Sequence, residues 1–308
     1  MDSAMDASIP NSSTILLPLE ALQAQEEKFY HCRDYLLQDS MDCSTSCNPQ
    51  LLDANELSLN RSFREIMVNW SYQILDLADC QRETAEYALS YFDRYLQTAH
   101  GAQALRQRPV FQLVFVTSLY LAIKIHESIT MTPGVFSKLS RSAYTKGQIE
   151  DMEMSLLQSL QWRMNPPTSM TFVRQILALV SIEILPVTMR LTVYYLAKAQ
   201  MDMVLQDYRF VSVKKSVLAM AGILNALESL KYSLDFGYEL IERAGMVEFE
   251  DDIADLRSEV YHMLANRLHH GVSGGVNNGD LLSMSSCQDI DNYVQRVSYE
   301  TSPRSVFS

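Results

Sequence analysis

The stretch FQLVFVTSLYLAIKIHE, residues 111–127, is an apolar helical run with one lysine near its end. Apolar side chains fall on most faces of this helix, which predicts that it lies in a protein interior. Lys124 falls in the stripe of Leu113 and Tyr120 rather than on a separate polar face. An unpaired ammonium group in an apolar interior costs several kcal/mol. The sequence therefore predicts either a partner for Lys124 or a buried stem that carries its amine out to water.

The rest of the chain has the same helical character. Only ten glycines and nine prolines occur in 308 residues, and they fall mostly between helical patterns. No run alternates apolar and polar residues for long, so the fold class is predicted to be all-α. Helices are predicted near 18–38, 60–77, 82–98, 109–127, 132–139, 145–162, 168–181, 186–206, 211–231, 234–245 and 248–267.

Breaks in this pattern predict the domain organisation. The prolines of NPPT, residues 165–168, interrupt a helix and indicate an interdomain joint. From about residue 269 the chain is rich in Gly, Ser and Asn, which predicts a disordered tail. We expect two consecutive five-helix bundles between an N-terminal helix and this tail. The predicted parts are an N-terminal segment at 1–56, a first bundle at 57–165, a second helical domain at 166–268 and the tail at 269–308.

Composition limits the classes of function. The net charge of −12 argues against a nucleic-acid surface, which needs a basic face. Five scattered cysteines favour a reducing compartment over a disulfide framework. Cys43 and Cys47 have no second Cys/His pair at a workable distance, so neither a metal nor another cofactor is expected. The N-terminus lacks the order of a signal peptide, and the apolar run ending near Ile125 is too short to span a bilayer. These features predict a soluble intracellular protein.

Three further charged side chains lie on apolar faces of predicted helices. Glu153 lies on the inner stripe of its helix, and Arg64 falls inside the apolar arc of another. Asp93 stands at the margin of an apolar stripe. An Arg64–Asp93 pair would satisfy both groups through two parallel hydrogen bonds, as a structural ion pair. Lys124 and Glu153 could pair in the same structural way, or they could mark a surface that meets a second protein.

Four segments together resemble the cyclin box, in order and at the spacing of that family. They are FREIMVNW, YFDRYL, LAIKIHES and DMEMSLLQSLQW. The resemblance covers about 60–165, and five positions that the family typically fills are filled by Arg64, Asp93, Leu113, Lys124 and Glu153. The segment MEMSLLQSLQWRMNPPTSMTFV is most similar to the G1, D-type branch. The resemblance implies two consecutive cyclin-fold bundles.

The resemblance also implies a non-enzymatic function. It implies a regulatory subunit that binds and activates a cyclin-dependent protein kinase in G1/S-type control of the cell cycle, in the nucleus and the cytoplasm. In such complexes the equivalents of Lys124 and Glu153 contact the mobile C helix of the kinase and its flanking turn. The residues implied in kinase binding are Lys124, Glu153, Ile125 and Glu127. Ile125 and His126 replace the aromatic-acid pair that follows the lysine in the family, although Glu127 is kept.

A second implied surface lies mainly on the helix near 60–77. In cyclins the matching positions form a hydrophobic docking patch for substrates and inhibitors that carry an Arg-x-Leu type motif. Here these positions are Phe63, Ile66, Met67, Trp70, Gln73, Phe111 and Gln112. Gln73 stands where docking cyclins usually have a glutamate, which weakens the expected pairing with a motif arginine. Alternatively, the large apolar side chains pack inside the protein. In the tail, Ser302-Pro303 is a minimal proline-directed phosphorylation site.

Other classes of function stay open to different degrees. An enzyme is disfavoured because no Walker-type loop, His-Glu-x-x-His or Gly-x-Ser-x-Gly pattern occurs. A general transcription factor with the same double bundle is disfavoured by the acidic charge balance, and salt-dependent retention on DNA would favour it. A cyclin-fold partner of a transcriptional or phosphate-signalling kinase would be distinguished by the kinase with which it copurifies.

Overall fold

The computed structural model describes residues 12–36 and 54–271 of the chain. Within these residues all regular secondary structure is helical, which confirms the all-α prediction. The helices are α1 (Ser12–Gln25), α2 (Ala54–Leu77), α3 (Glu83–Leu96), α4 (Ala99–Ala102), α5 (Arg108–His126), α6 (Pro133–Leu139), α7 (Lys146–Ser159), α8 (Ser169–Ala178), α9 (Val187–Val204), α10 (Lys215–Ser229), α11 (Leu234–Arg243) and α12 (Glu250–Gly271). Most of the predicted tail, Ser302 within it, and the pair Cys43 and Cys47 lie outside the described residues.

The first helix differs most from its prediction. It begins at Ser12 and carries Pro18 in its interior, whereas the prediction began near residue 18. A π-helical turn, Glu26–Tyr30, follows α1, and the backbone is extended at His31. The prediction that this helix continues to residue 38 is therefore wrong. Downstream, the Leu36 amide donates a hydrogen bond to the Tyr208 hydroxyl at 3.1 Å instead of continuing a helical ladder.

The described residues divide into two compact units. One contains residues 32–36, 54–165, 205–211 and 263–271, and we call it the α5 unit. The other contains residues 12–31, 166–204 and 212–262, and we call it the α10 unit. One division between them falls between Asn165 and Pro166, and α1 belongs with the helices that follow this division.

Helix α5 is the central helix of the α5 unit. Helices α2, α3, α6 and α7 all pack against it. The Phe92 ring of α3 contacts two rings of α5 edge-on, with centroids 4.9 Å from Phe111 and 5.3 Å from Phe115.

By length and composition α5, with 19 residues, could also cross a membrane, which corrects the expectation that its apolar run is too short. In the structure 61% of its apolar window is buried among the other helices, as in a core helix.

Helix α10 has the same central position in the α10 unit. Helices α8, α9 and α11 pack on α10, and α1 packs on α8. Residues 216–224 of α10 are all buried. Gly222 leaves room for the end of the Met201 side chain of α9, because a Cβ atom there would lie 2.9 Å from the Cε atom of Met201.

A buried carboxylate caps the N-terminal end of α10. Glu26, in the π-helical turn after α1, is only 3% exposed. It accepts hydrogen bonds from the backbone amides of Lys215 and Ser216 and from the Ser216 hydroxyl, the last at 2.6 Å. The side chain of the N-cap residue Lys214 makes no capping hydrogen bond, so Glu26 satisfies these helix-end donors from another helix. Burial raises the pKa of Glu26 above its usual value despite these donors.

Glu26→Gln is expected to remove a pH dependence of stability. The folded-state pKa of Glu26 is raised above 4.5, so its contribution to stability is fully present below that pH. The contribution is lost as the pH rises through the folded-state pKa. Relative to Glu26→Gln, the wild-type free energy of unfolding should therefore fall between acidic and neutral pH. Urea denaturation at a series of pH values measures this difference.

Glu27→Gln provides the matched control. The Glu27 side chain is 62% exposed and pairs with Lys214 at 2.6 Å, which lowers the pKa of Glu27. The contribution of Glu27 to the free energy of unfolding should therefore depend on pH with the opposite sign: it is present above pH 4.5 and is lost as the pH falls. A pH-independent difference between wild type and Glu26→Gln would contradict the assigned burial of the Glu26 carboxylate.

Candidate functional site

Lys124 and Glu153 form an ion pair near the C-terminal end of α5. The Lys124 Nζ atom donates a hydrogen bond to Glu153 Oε1 at 2.7 Å. The lysine side chain is 52% exposed, whereas that of Glu153, on α7, is 13% exposed. The hydrogen bond to Glu153 raises the pKa of Lys124 and keeps its amine charged. The cation therefore lies at the surface, with a largely covered carboxylate beside it.

Lys124 lies beside the interior because of the place where α5 ends. Residues 114–123 are buried, but the helix ends at His126, and both Lys124 and Ile125 are exposed. The ammonium group lies 5.4 Å from the ring centroid of the buried Tyr120, one turn earlier. A cation in the last turn of a helix also interacts favourably with the helix dipole.

Exposed apolar side chains adjoin both members of the ion pair in sequence. Ile125 follows Lys124 on α5 and is 41% exposed. Met154 follows Glu153 on α7 and is 48% exposed, although the sequence patterns did not single it out. Helical periodicity assigns residues to a face, but it does not tell how far along the helix that face stays covered. The two helices that carry the ion pair thus also expose apolar side chains.

Glu127 has a different environment from the one that the resemblance implies. Its Oε1 atom accepts hydrogen bonds from the Gln81 amide at 3.0 Å and from the Thr84 hydroxyl at 2.5 Å. Gln81 lies two residues before α3 begins, and Thr84 lies in the first turn of α3. The expectation that this carboxylate is available to a partner is therefore corrected for Oε1, which ties the end of α5 to the beginning of α3.

Arg64 of α2 and Asp93 of α3 form a second ion pair, which is buried. The Arg64 Nε and Nη2 atoms donate to the two Asp93 oxygens at 3.3 and 2.9 Å, and the two side chains are 4% and 7% exposed. Arg64 Nη1 also donates to the Leu205 carbonyl at 2.9 Å, and the Tyr35 hydroxyl donates to Asp93 at 2.9 Å. The structure thus brings together the two residues whose apolar surroundings in the sequence indicated a pair.

The positions of the implied docking patch differ widely in exposure. Ile66 is 61% exposed and Gln73 is exposed, so both side chains face solvent from α2. The partly covered positions are Phe63, Trp70 and Gln112. The Arg108 guanidinium lies 3.5 Å from the Phe63 ring centroid and covers part of that ring.

Two positions of the implied patch belong to the core instead. Met67 is 7% exposed and Phe111 is 2% exposed. Phe111 packs edge-on against Phe92 inside the α5 unit, so its ring is not available to a peptide. The expected patch is corrected accordingly: Ile66 and Gln73 on α2 form its accessible part, with partial contributions from Phe63, Trp70 and Gln112.

Over the part of the chain that the structure describes, no group of three or more His, Cys, Asp or Glu side chains is arranged to hold a metal ion.

The sequence of the chain is similar to known protein families over most of its length. Residues 31–165 match the family described as "Cyclin, N-terminal domain", and residues 167–268 match "Cyclin, C-terminal domain". The chain is 28% identical over 217 residues to G2/mitotic-specific cyclin-B2 of Bos taurus, covering 68% of this chain and 51% of that protein. It is 31% identical over 185 residues to G2/mitotic-specific cyclin-B2 of Rana japonica, covering 60% and 44%. The chain spans about half the length of these relatives.

Among solved structures, the chain is similar to a viral cyclin from herpesvirus saimiri. The identity is 15% and the TM-score 0.49, and the match covers 79% of this chain and 97% of the viral cyclin.

The two relatives from Bos taurus and Rana japonica are B2-type cyclins, so the implied likeness to the D-type branch stays a prediction. Because the two cyclin domain families together match most of its length, the chain belongs to the cyclin family.

Proposed function

We propose that this chain binds and activates a cyclin-dependent protein kinase through the surface formed by Lys124, Glu153 and Ile125. The observation that carries the proposal is the exposed ammonium group of Lys124, held by Glu153 at 2.7 Å. An ammonium group has three donors, so its bond to Glu153 leaves capacity for acceptors of a partner. The C-terminal end of a helix and its flanking turn present unpaired carbonyls, which such a cation can bind.

This surface would activate a kinase by selecting one position of its C helix. A kinase is active when a glutamate of that helix pairs with the lysine that positions the ATP phosphates. A partner that binds the inward position of the helix more tightly than the outward one shifts the equilibrium by its differential affinity. The exposed Ile125 would contribute apolar contact area beside the charged group.

Alanine variants of the ion pair test the proposal. Purified chain is titrated against a panel of recombinant cyclin-dependent kinases, both cell-cycle and transcriptional, and activity is measured on a Ser-Pro peptide. We expect Lys124→Ala and Glu153→Ala to weaken binding to the activated kinase by at least about tenfold, because each removes part of a desolvated contact. Lys146→Ala is the control, since Lys146 pairs with Glu150 at 3.4 Å on the same α7 helix, where both are exposed.

The identity of the kinase that is activated also distinguishes a cell-cycle role from a transcriptional or phosphate-signalling role. We propose a cell-cycle role of the G1/S type, supported by the similarity of residues 152–173 to the D-type branch. Activation of a transcriptional or phosphate-signalling kinase instead would favour the alternative role. Normal binding and activation by both alanine variants would exclude the proposed surface.

We propose that the accessible part of the patch on α2 binds Arg-x-Leu type peptides weakly. Ile66 is exposed, but Gln73 supplies no negative charge for a motif arginine. Gln73→Glu should therefore strengthen peptide binding by about 1 kcal/mol, and Ile66→Ala should weaken it, as measured by fluorescence anisotropy with a labelled Arg-x-Leu peptide. Kinase binding should not change in either variant. Equal peptide affinities for wild type and both variants would exclude this patch.

A further inference from the structure

We propose that His126 is a positioning residue, which fixes the last turn of α5 and thereby holds Lys124 and Ile125 in the orientation that a kinase binds. The inference rests on the proposed function and adds the residue that organises the same surface. His126 is the last residue of α5, and it directly follows the two exposed side chains of that surface.

The His126 ring is held by groups from two other parts of the α5 unit. It stacks on the Tyr87 ring of α3, with ring centroids 3.6 Å apart and an interplanar angle of 6°. Its Nε2 atom lies 2.7 Å from the Tyr91 hydroxyl, also on α3, and 3.2 Å from the Met164 carbonyl. Tyr87 and Tyr91 are four residues apart and therefore share one face of α3. Together these contacts fix both the plane and the edge of the imidazole.

The hydrogen bonds assign one tautomer to the ring. The Tyr91 hydroxyl donates its single hydrogen to the Met164 carbonyl at 2.5 Å. A carbonyl only accepts, so the contact between Nε2 and Met164 requires a hydrogen on Nε2. The same N–H can then point toward the Tyr91 oxygen at 2.7 Å. Tyr91, His126 and Met164 thus form a closed triangle in which each polar atom has a partner.

The triangle connects the parts of the unit that determine where the Lys124 amine lies. Lys124 is on α5, and its partner Glu153 is on α7. Met164 lies in the segment that follows α7, so His126 joins the end of α5 to that segment and to α3. Glu127 adds a second connection between α5 and α3. Without these contacts the last turn would keep only its helical hydrogen bonds, and helix ends fray.

A purely stabilising role predicts different behaviour from a positioning role. If His126 only stabilised the fold, its replacement would change kinase affinity to the same extent whether or not the surface residues were present. If His126 acts through Lys124 and Ile125, replacing His126 should no longer change kinase affinity in a chain that lacks those two side chains. The effects of the two sets of replacements are then coupled rather than additive. This difference makes the two roles separable by a double-mutant cycle.

The experiment compares His126→Ala and His126→Phe with wild type in two measurements on the full chain. Hydrogen exchange reports the last turn, in which the Glu127 amide donates to the Ile123 carbonyl at 3.0 Å. We expect faster exchange there in His126→Ala, unchanged exchange in the middle of α5, and a smaller change in His126→Phe, which keeps the ring stack. His100→Ala, at an exposed position of the same unit, is the control.

The second measurement is affinity for the recombinant kinase that the wild type activates. His126→Ala should weaken binding about fivefold to tenfold in the wild-type background, and should have no effect in the Lys124→Ala/Ile125→Ala background. Unchanged hydrogen exchange in the last turn would overturn the positioning role, whatever the kinase result. Equal loss of affinity in both backgrounds would also overturn it. A wild-type chain that binds no kinase of the panel would overturn the proposed function, and with it this inference, while the exchange data would still report the turn.

Discussion

Replacing Asp93 by alanine is expected to lower the free energy of unfolding by about 3–5 kcal/mol. The change leaves the Arg64 guanidinium, whose side chain is 4% exposed, buried without the carboxylate to which it is hydrogen-bonded. It also removes the acceptor of the Tyr35 hydroxyl. Burial alone would lower the pKa of Arg64, but Asp93 more than offsets burial, so the pKa is raised and the arginine stays charged. The cost therefore comes mainly from the unpaired charge left behind.

Asp76→Ala is the matched control for this prediction. Asp76 accepts two hydrogen bonds from Arg82, at 2.9 and 2.7 Å, in the same two-pronged geometry, but the two side chains are 26% and 18% exposed. Water can replace the lost partner there, so we expect a loss below about 1 kcal/mol. Urea denaturation measures both variants. Equal losses for Asp93→Ala and Asp76→Ala would contradict the account.

Replacing both members of the buried pair should be less harmful than replacing one. Arg64→Met/Asp93→Leu removes both charges and keeps much of the volume, so it should recover a large part of the stability that Asp93→Ala loses. Such a recovery means that the two replacements are not additive, which is expected for groups in direct contact.

The helices could be predicted because their signals are local in sequence. The helix predicted near 145–162 begins with TKGQ, residues 145–148, which has the Thr-x-x-Gln spacing of a capping box. The structure contains this capping box: Gln148 N donates to Thr145 Oγ1 at 3.2 Å, and Thr145 N donates to Gln148 Oε1 at 2.8 Å. Pro133 likewise lies in the first turn of α6. The course of the chain after Tyr30 was not predictable, because it depends on contacts with residues distant in sequence, such as Tyr208.

For the candidate site, helical periodicity predicted only the face of its helix on which each charged residue lies. A charged residue on an apolar stripe indicates a partner, and Lys124 lies 2.7 Å from Glu153. The same pattern does not tell where a stripe leaves the core, so it could not show that the Lys124 side chain is 52% exposed. The placement of Phe111 at the surface came from the family resemblance, and the structure buries that ring. The pattern also could not assign Glu127 to the beginning of α3, since that contact needs the tertiary fold.

Exchanging the charges of the surface pair is expected to abolish kinase binding while preserving the fold. Lys124→Glu/Glu153→Lys keeps opposite charges at the two positions, so the ion pair and the stability should largely remain. The exposed position then presents an anion to the partner, where the carbonyls of a helix end require a donor. Repulsion and lost hydrogen bonds should weaken binding by at least about thirtyfold, or about 2 kcal/mol.

The dissociation constant of this double variant for the kinase that the wild type activates tests the central claim most directly. Each single change, Lys124→Glu or Glu153→Lys, should weaken binding, and thermal unfolding should show that the double variant is folded. We predict that the double variant remains at least about thirtyfold weaker than wild type. Recovery of wild-type affinity by the double variant would mean that the pair is only an internal structural contact, and would contradict a surface on which the lysine itself meets the kinase.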